Sequence, residues 1–271
     1  MDAPGGFAIW CERSARLLYT DGVAMQLQAW TPDRGQRQSW RLPEPLCCFA
    51  LTASRERLLL GFASRLAFLD LNTGLSAPIG AVDGGSTVTR ISDGRCDRQG
   101  RFVFGTAGIE GNARGGFWRL NHDLSIERLP LGDVAWAGNL GFSPNGRMLY
   151  YADTCGPAIG CCDYHPCSGE IMRPRRFAGA DVAGAAVVDA EGCVWTVCKG
   201  ARQVQRIAPG GSVMRVLALD APCTGWPVFG GPDLATLYVP TESVSGIATF
   251  MPGVRGLAEE RFLGRLPSRK R

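Results

Sequence analysis

"AWAGNLGFSPNGRMLYYADT", residues 135–154, holds a Pro-Asn-Gly turn followed by a run of β-forming apolar residues. Such a turn ahead of such a run is a hairpin signature. Five other segments align with it: "WCERSARLLYTD" from Trp10, "ALTASRERLLLGF" from Ala50, "CDRQGRFVFGT" from Cys96, "VDAEGCVWTVC" from Val188 and "FGGPDLATLYVP" from Phe229. Strand anchors at Leu18, Leu59, Val103, Tyr150, Trp195 and Tyr238 lie 41, 44, 47, 45 and 43 residues apart. Each copy is followed by a second hairpin, as in "FWRLNHDLSIERLPL" and "QVQRIAPGGSVMRVLAL". Four short strands per unit, six times over, predict an all-β six-bladed β-propeller with four-stranded blades around a central channel. No helical periodicity is sustained, so no helix beyond about two turns is expected. The six units use up residues 1–271 as a single propeller domain, with a basic tail over about 265–271.

Composition narrows the function classes. Of 271 residues, 45% are hydrophobic, which supports a real core. No apolar run reaches the ~18–20 residues of a membrane span. The start, "MDAPGGFAIW", shows neither the basic nor the apolar region of a secretory signal. The net charge of +4 owes much to "RLPSRKR", a solvated terminus. Nucleic-acid binding would call for a basic face with stacking aromatics, and none is evident. The expected partner is a small-molecule substrate, with no nucleic acid and no membrane, for a monomer or weak homo-oligomer. Eleven cysteines without an export signal point to reduced thiols and a cytoplasmic location. Cys155, Cys161, Cys162 and Cys167 contain no CxxC pair, and Cys161 and Cys162 suit core packing.

The stretches "DGRCDRQGRFVFGT", "NLGFSPNGRMLYYADT", "VDAEGCVWTVCKGARQVQRIAPGG" and "FGGPDLATLYV" resemble the senescence marker protein / gluconolactonase / luciferin-regenerating-enzyme family over about residues 5–265. The resemblance implies a six-bladed propeller with one divalent ion in the channel and hydrolysis of sugar lactones. A calcium-like ion takes oxygen ligands. In this family they come from a Glu, an Asn and an Asp where innermost strands begin.

Superposing the six turns and stepping back five residues gives one ring: Gly6, Cys47, Ser92, Gly138, Gly184 and Gly225. The family's Glu, Asn and Asp fall on Gly6, Gly138 and Gly184. Glycine suits tight strand starts, which explains tolerance at one site but not the removal of three ligands. The expectation is therefore a metal-independent protein without a cofactor. Its alternative is a lactonase holding one divalent cation, such as calcium or zinc, on relocated ligands, with Asn139, Asp181 and Glu12 as candidates.

Other polar residues are sorted by face. With the strands of each blade lettered A to D from the centre outwards, the D–A and B–C loops share the functional face; the A–B and C–D turns lie on the other. His122 and His165 fall in C–D turns, away from the site. By the resemblance, Arg90 is a substrate-binding arginine, Ser92 takes the place of an Asn that touches sugar, and Glu110 is a substrate-contacting carboxylate. Arg90 and Glu110 are the candidate catalytic pair; a structural ion pair between loops is the other reading. Cys198 and Lys199 stand near the mouth, Cys198 as a nucleophile without a histidine to activate it or as packing. Trp136 and Trp226 suit either an aromatic lid over a flat ligand or rim packing. Asp93 also matches the family, while "SDG" reads first as turn chemistry. A divergent enzyme acting on a small polar cyclic metabolite, lactone-like or heterocyclic, in specialised biosynthesis is the first expectation. A metal-dependent sugar lactonase and a non-catalytic binding or regulatory propeller are the alternatives.

Overall fold

Each repeat folds into its own antiparallel sheet, because alternating apolar residues between Gly-containing turns bury one face against each neighbouring blade. The computed structural model describes residues 6–21, 24–109, 114–178, 184–197, 202–242 and 246–266. Blade 1 comprises β1 (Ala8–Cys11), β2 (Arg16–Asp21), β3 (Gln26–Thr31) and β4 (Gln36–Arg41). Blade 2 comprises β5 (Leu46–Leu51), β6 (Arg57–Phe62), β7 (Arg65–Asp70) and β8 (Ser76–Ala81). Blade 3 comprises β9 (Thr89–Cys96), β10 (Phe102–Gly108), β11 (Phe117–Leu120) and β12 (Ile126–Arg128). Blade 4 comprises β13 (Ala137–Phe142), β14 (Met148–Asp153), β15 (Ile159–Tyr164) and β16 (Ile171–Ala178). Blade 5 comprises β17 (Ala185–Val188), β18 (Val194–Val197), β19 (Gln203–Ile207) and β20 (Val213–Ala218). Among the described residues, the sixth blade has three hydrogen-bonded strands, β21 (Val228–Gly230), β22 (Thr236–Pro240) and β23 (Ile247–Phe250).

The six anchors of the repeat all lie on the second strand of their blade. Helix is confined, among the described residues, to three single turns of 3-10 type. No described helix is long and apolar enough to cross a membrane, and no disulfide joins the described cysteines. His122 and His165 sit in the turns joining the outer two strands of blades 3 and 4, as the repeat predicts.

Two A–B turns are held by buried aspartates. Asp189 accepts the amides of Glu191 and Cys193, the indole N–H of Trp195 at 2.9 Å, and Nε of Arg206. Asp97 does the same work in blade 3. It accepts the amides of Gln99 and Arg101, Nε of Arg101 at 2.6 Å, and the hydroxyl of Tyr164 at 2.7 Å. These carboxylates are fully satisfied, the condition under which a buried charge is tolerated.

After β23 the chain crosses the face that carries the A–B turns. The amide of Ala190 donates to Arg255, that of Gly256 to Leu234, that of Phe262 to Leu51, that of Leu263 to Gly100 and that of Arg265 to His122. Arg261 pairs with Glu12 of blade 1. The segment therefore ties together five of the six blades. Gly100 permits the crossing: a Cβ there would lie 2.5 Å from Cγ of Leu263, and its φ is 78°. Phe262 is fully buried and packs on Phe68 with ring centroids 6.0 Å apart. Phe262→Ala is expected to destabilise the protein by about 3–5 kcal/mol in denaturant unfolding, the scale for truncating a buried phenylalanine. A loss below 1 kcal/mol, on that same scale, would mean that the segment rests on the ring without holding it.

Candidate functional site at the channel mouth

The six aligned positions lie in or just before the innermost strands. Cys47 lies in β5, Ser92 in β9 and Gly138 in β13; Gly6, Gly184 and Gly225 precede β1, β17 and β21. Gly6 is locked against blade 1. Phe7 donates its amide to Oγ1 of Thr20 at 3.0 Å, and Thr20 returns its own amide to the carbonyl of Phe7 at 2.9 Å. A Cβ at Gly6 would lie 2.2 Å from both the carbonyl oxygen and Oγ1 of Thr20. No side chain enters there without displacing β2. At Gly138 a Cβ would meet Cγ2 of Thr154 at 2.9 Å and Oδ2 of Asp93 at 3.7 Å.

These observations decide the fit of the ion that the resemblance implies. Three glycines offer no side-chain oxygen, and one of them cannot accommodate a side chain on this backbone. Among the described residues, no group of three His, Cys, Asp or Glu is placed to hold a metal. The relocated set does not assemble there either. Glu12 lies in the turn after β1, at the far end of the innermost strand, held by Arg261. Asp181 is outside the described residues. Asn139 is buried in β13 with φ 63°, and neither of its amide atoms has a hydrogen-bond partner. Among the described residues, the side-chain oxygens that the family's ion would need are not assembled.

Arg90 and Trp136 are brought together. Ala107 of β10 pairs with Arg90 on one side and with Trp136 on the other, so both side chains rise beside the same residue. The Arg90 guanidinium lies 4.6 Å from the Trp136 ring centroid. Trp136 is itself fixed: Asp153 accepts the amides of Ala135, Trp136 and Cys155 at 3.0–3.1 Å, and Thr154 donates its amide to the Trp136 carbonyl at 2.8 Å. An arginine stacked this way keeps its edge N–H groups for an oxyanion or carbonyl. Trp226 packs instead on Phe7, with ring centroids 6.1 Å apart, and belongs to the rim of the core. Glu110, Cys198 and Lys199 lie outside the described residues.

Ser92 and Asp93 fasten blade 3 to blade 4. Ser92 donates its hydroxyl to the carbonyl of Ala137 at 2.5 Å. Asp93 accepts the amide of Gly94 at 2.7 Å and that of Leu140 at 3.1 Å. The "SDG" segment is thus not a turn: β9 runs through it, with a register shift opposite Gly105 and Thr106. Burial raises the Asp93 carboxyl above its ordinary value, against the lowering effects of the Leu140 amide and Arg95. Burial also pushes the Cys47 thiol up to about 11, although nearby Arg90 lowers it, so this ring cysteine is a thiol at neutral pH.

Residues 5–243 match the SMP-30/Gluconolactonase/LRE-like region. The chain belongs to that family. L-arabinolactonase of Azospirillum brasilense is 42% identical over 215 residues, covering 76% of this chain and 71% of that protein. 6-Deoxy-6-sulfogluconolactonase of Pseudomonas putida is 30% identical over 246 residues, covering 87% and 82%. A luciferin-regenerating enzyme structure superposes with a TM-score of 0.86 at 20% identity, over 94% of each chain, a likeness of fold. Within the SMP-30/gluconolactonase framework, the sequence reading missed the role of Asp93. Its signal was present in the polar pair Ser92-Asp93 inside an otherwise apolar strand.

The raised Asp93 carboxyl gives a signed pH dependence. A folded-state value above the unfolded one contributes stability at low pH that is lost as pH rises from the ordinary value of 3.8 through the folded value. The stability of wild type relative to Asp93→Asn should therefore fall as pH rises above 3.8. Urea melts of both proteins across the acid range test this; a difference that grows with pH would reverse the sign of the shift.

Proposed function

We propose that this member of the gluconolactonase-like family opens the ring of a small sugar-acid lactone at the channel mouth, with protein side chains doing the work of the missing ion. The observation that carries the reading is the Arg90 guanidinium stacked on Trp136 beside a ring stripped of ligand side chains. The names of the two relatives, both sugar lactonases, support the substrate class.

Lactone hydrolysis requires a base for the attacking water, stabilisation of the oxyanion and a proton for the departing ring oxygen. Glu110 follows Ile109 in the chain, and the Ile109 amide is bonded to the carbonyl of Val88, two residues before Arg90. In this reading Glu110 takes the proton from water as the water oxygen bonds to the carbonyl carbon. Arg90 holds the resulting oxyanion. Collapse of the tetrahedral intermediate breaks the ring C–O bond, and the ring oxygen receives the proton back from Glu110, leaving a hydroxy acid. Trp136 orients Arg90 and offers a flat wall to the ring of the substrate. The glycines leave room at the mouth for a cyclic ligand.

The reading is tested with a panel of sugar lactones, L-arabinolactone first, in the presence and absence of chelator. Chelator should alter neither turnover nor melting temperature, since an ion bound only to the native state would stabilise it. Glu110→Gln should slow turnover by ~10²-fold or more with little change in folding, and Arg90→Ala should weaken binding as well. Loss of activity and stability on chelation would restore an ion on other ligands. Full activity in both variants would move the chemistry elsewhere, to Cys198 and Lys199. Tight binding through Arg90 without turnover of any lactone would make the protein a binding propeller, a reading that the three glycines also favour.

A further inference from the structure

On the face opposite the channel mouth, blades 1 and 2 enclose a cleft of about 280 Å³. Its inner wall is apolar, formed by Leu18, Leu51, Leu58 and Trp40, all buried. Trp40 is fixed by its indole N–H, which donates to the carbonyl of Leu71 at 2.9 Å. Around this wall stand five arginines, Arg13, Arg16, Arg55, Arg57 and Arg261, with Glu56 the one carboxylate in the lining.

The guanidinium groups of Arg13, Arg16 and Arg261 are held by local bonds. Arg13 reaches across from blade 1 to donate to the carbonyl of Ala53 in blade 2 at 2.9 Å. Arg16 donates to Oε1 of Gln38 at 3.0 Å. Neither partner is charged, so neither arginine is neutralised by it. Arg261 pairs with Glu12, just outside the lining. Arg55 is exposed and enters no ion pair among the described residues. Arg13, Arg16 and Arg55 enter no ion pair among the described residues; concentrating three such charges at a recess is unfavourable in itself, and an anion with several oxygens relieves it. Planar guanidinium forks match phosphate oxygens two at a time.

We infer that this cleft is a binding site for a small, multiply charged phosphorylated metabolite, distinct from the channel and independent of the reaction proposed there. The volume sits just below the lower bound of small-molecule pockets, about 300 Å³. It suits a phosphate-bearing fragment seated in the recess, with its uncharged part against Trp40 and the leucines. An extended polyanion such as a nucleic-acid backbone would instead require a basic track along the surface.

Inorganic pyrophosphate is the probe, titrated calorimetrically into the full chain at about 50 mM and about 200 mM salt, the range over which such contacts weaken steeply. Binding should be detectable at the lower salt and fall several-fold at the higher. The double variant Arg13→Ala/Arg55→Ala should lose ~10-fold or more in affinity, with its melting curve unchanged because both side chains are exposed. Arg128→Ala, which removes an arginine paired with Asp133 in blade 3, should bind as wild type does. No binding at low salt, or equal binding by the double variant, would overturn the site. Equal affinity for citrate would replace phosphate with carboxylate as the ligand chemistry. A short single-stranded oligonucleotide binding more tightly than pyrophosphate through the same arginines would overturn the small-molecule assignment.

Discussion

A propeller is a ring, and it holds its channel open only if the last blade finds the first. Here that closure rests on Trp10 of β1 stacked on Tyr238 of β22, with centroids 5.9 Å apart and planes inclined by 14°. Both are buried, and Gly230 of β21 leaves the indole its space: a Cβ there would lie 2.5 Å from Trp10. Aromatic stacking supplies area and orientation at once. Orientation matters more here, because an angular error at one junction would be shared by the whole circle and would widen or pinch the mouth. The position of Arg90 over Trp136, set by strand pairing through Ala107, depends on that circle being true.

Polar groups near the mouth divide into those that hold blades and those that face a ligand. Ser92 and Asp93 belong to the first kind, since their oxygens are engaged by the backbone of blade 4 or of β9 itself. Asp153 holds the loop that presents Trp136. Arg90 belongs to the second kind in the proposed reading. Its partner is an aromatic face, which steadies a cation without neutralising it. Among the described residues, Arg90 is the charged side chain near the mouth that meets an aromatic face in place of a neutralising partner.

The blades were legible in the sequence because each repeat writes its own turn and its own alternating strand, and local rules govern both. The six anchor residues and the turn histidines fell where the repeat put them. Non-local features were less legible. The "SDG" of Ser92 to Gly94 has the composition of a turn, and only the amide of Leu140, brought from the next blade, makes it strand. Glu12 looked available as a ligand until the chain end brought Arg261 to it. Residues 251–266 carry no alternation to read, because their bonds run to successive blades rather than to one partner strand. Trp226 and Trp136 were equivalent in sequence, and their difference comes from which neighbour each meets, Phe7 or Arg90.

The crossing segment has a consequence for how the protein is made. Phe262 packs among blade 2 residues that precede it by nearly two hundred positions, and its amide is bonded to Leu51. Contacts of such sequence separation form late, because the loop between them must be closed first. During synthesis the early blades can form hairpins as they emerge, yet the apolar surface that Phe262 covers on them stays wet until translation has passed residue 262. Until residue 262 has been made, that part of the blade 2 surface lacks the side chain that covers it.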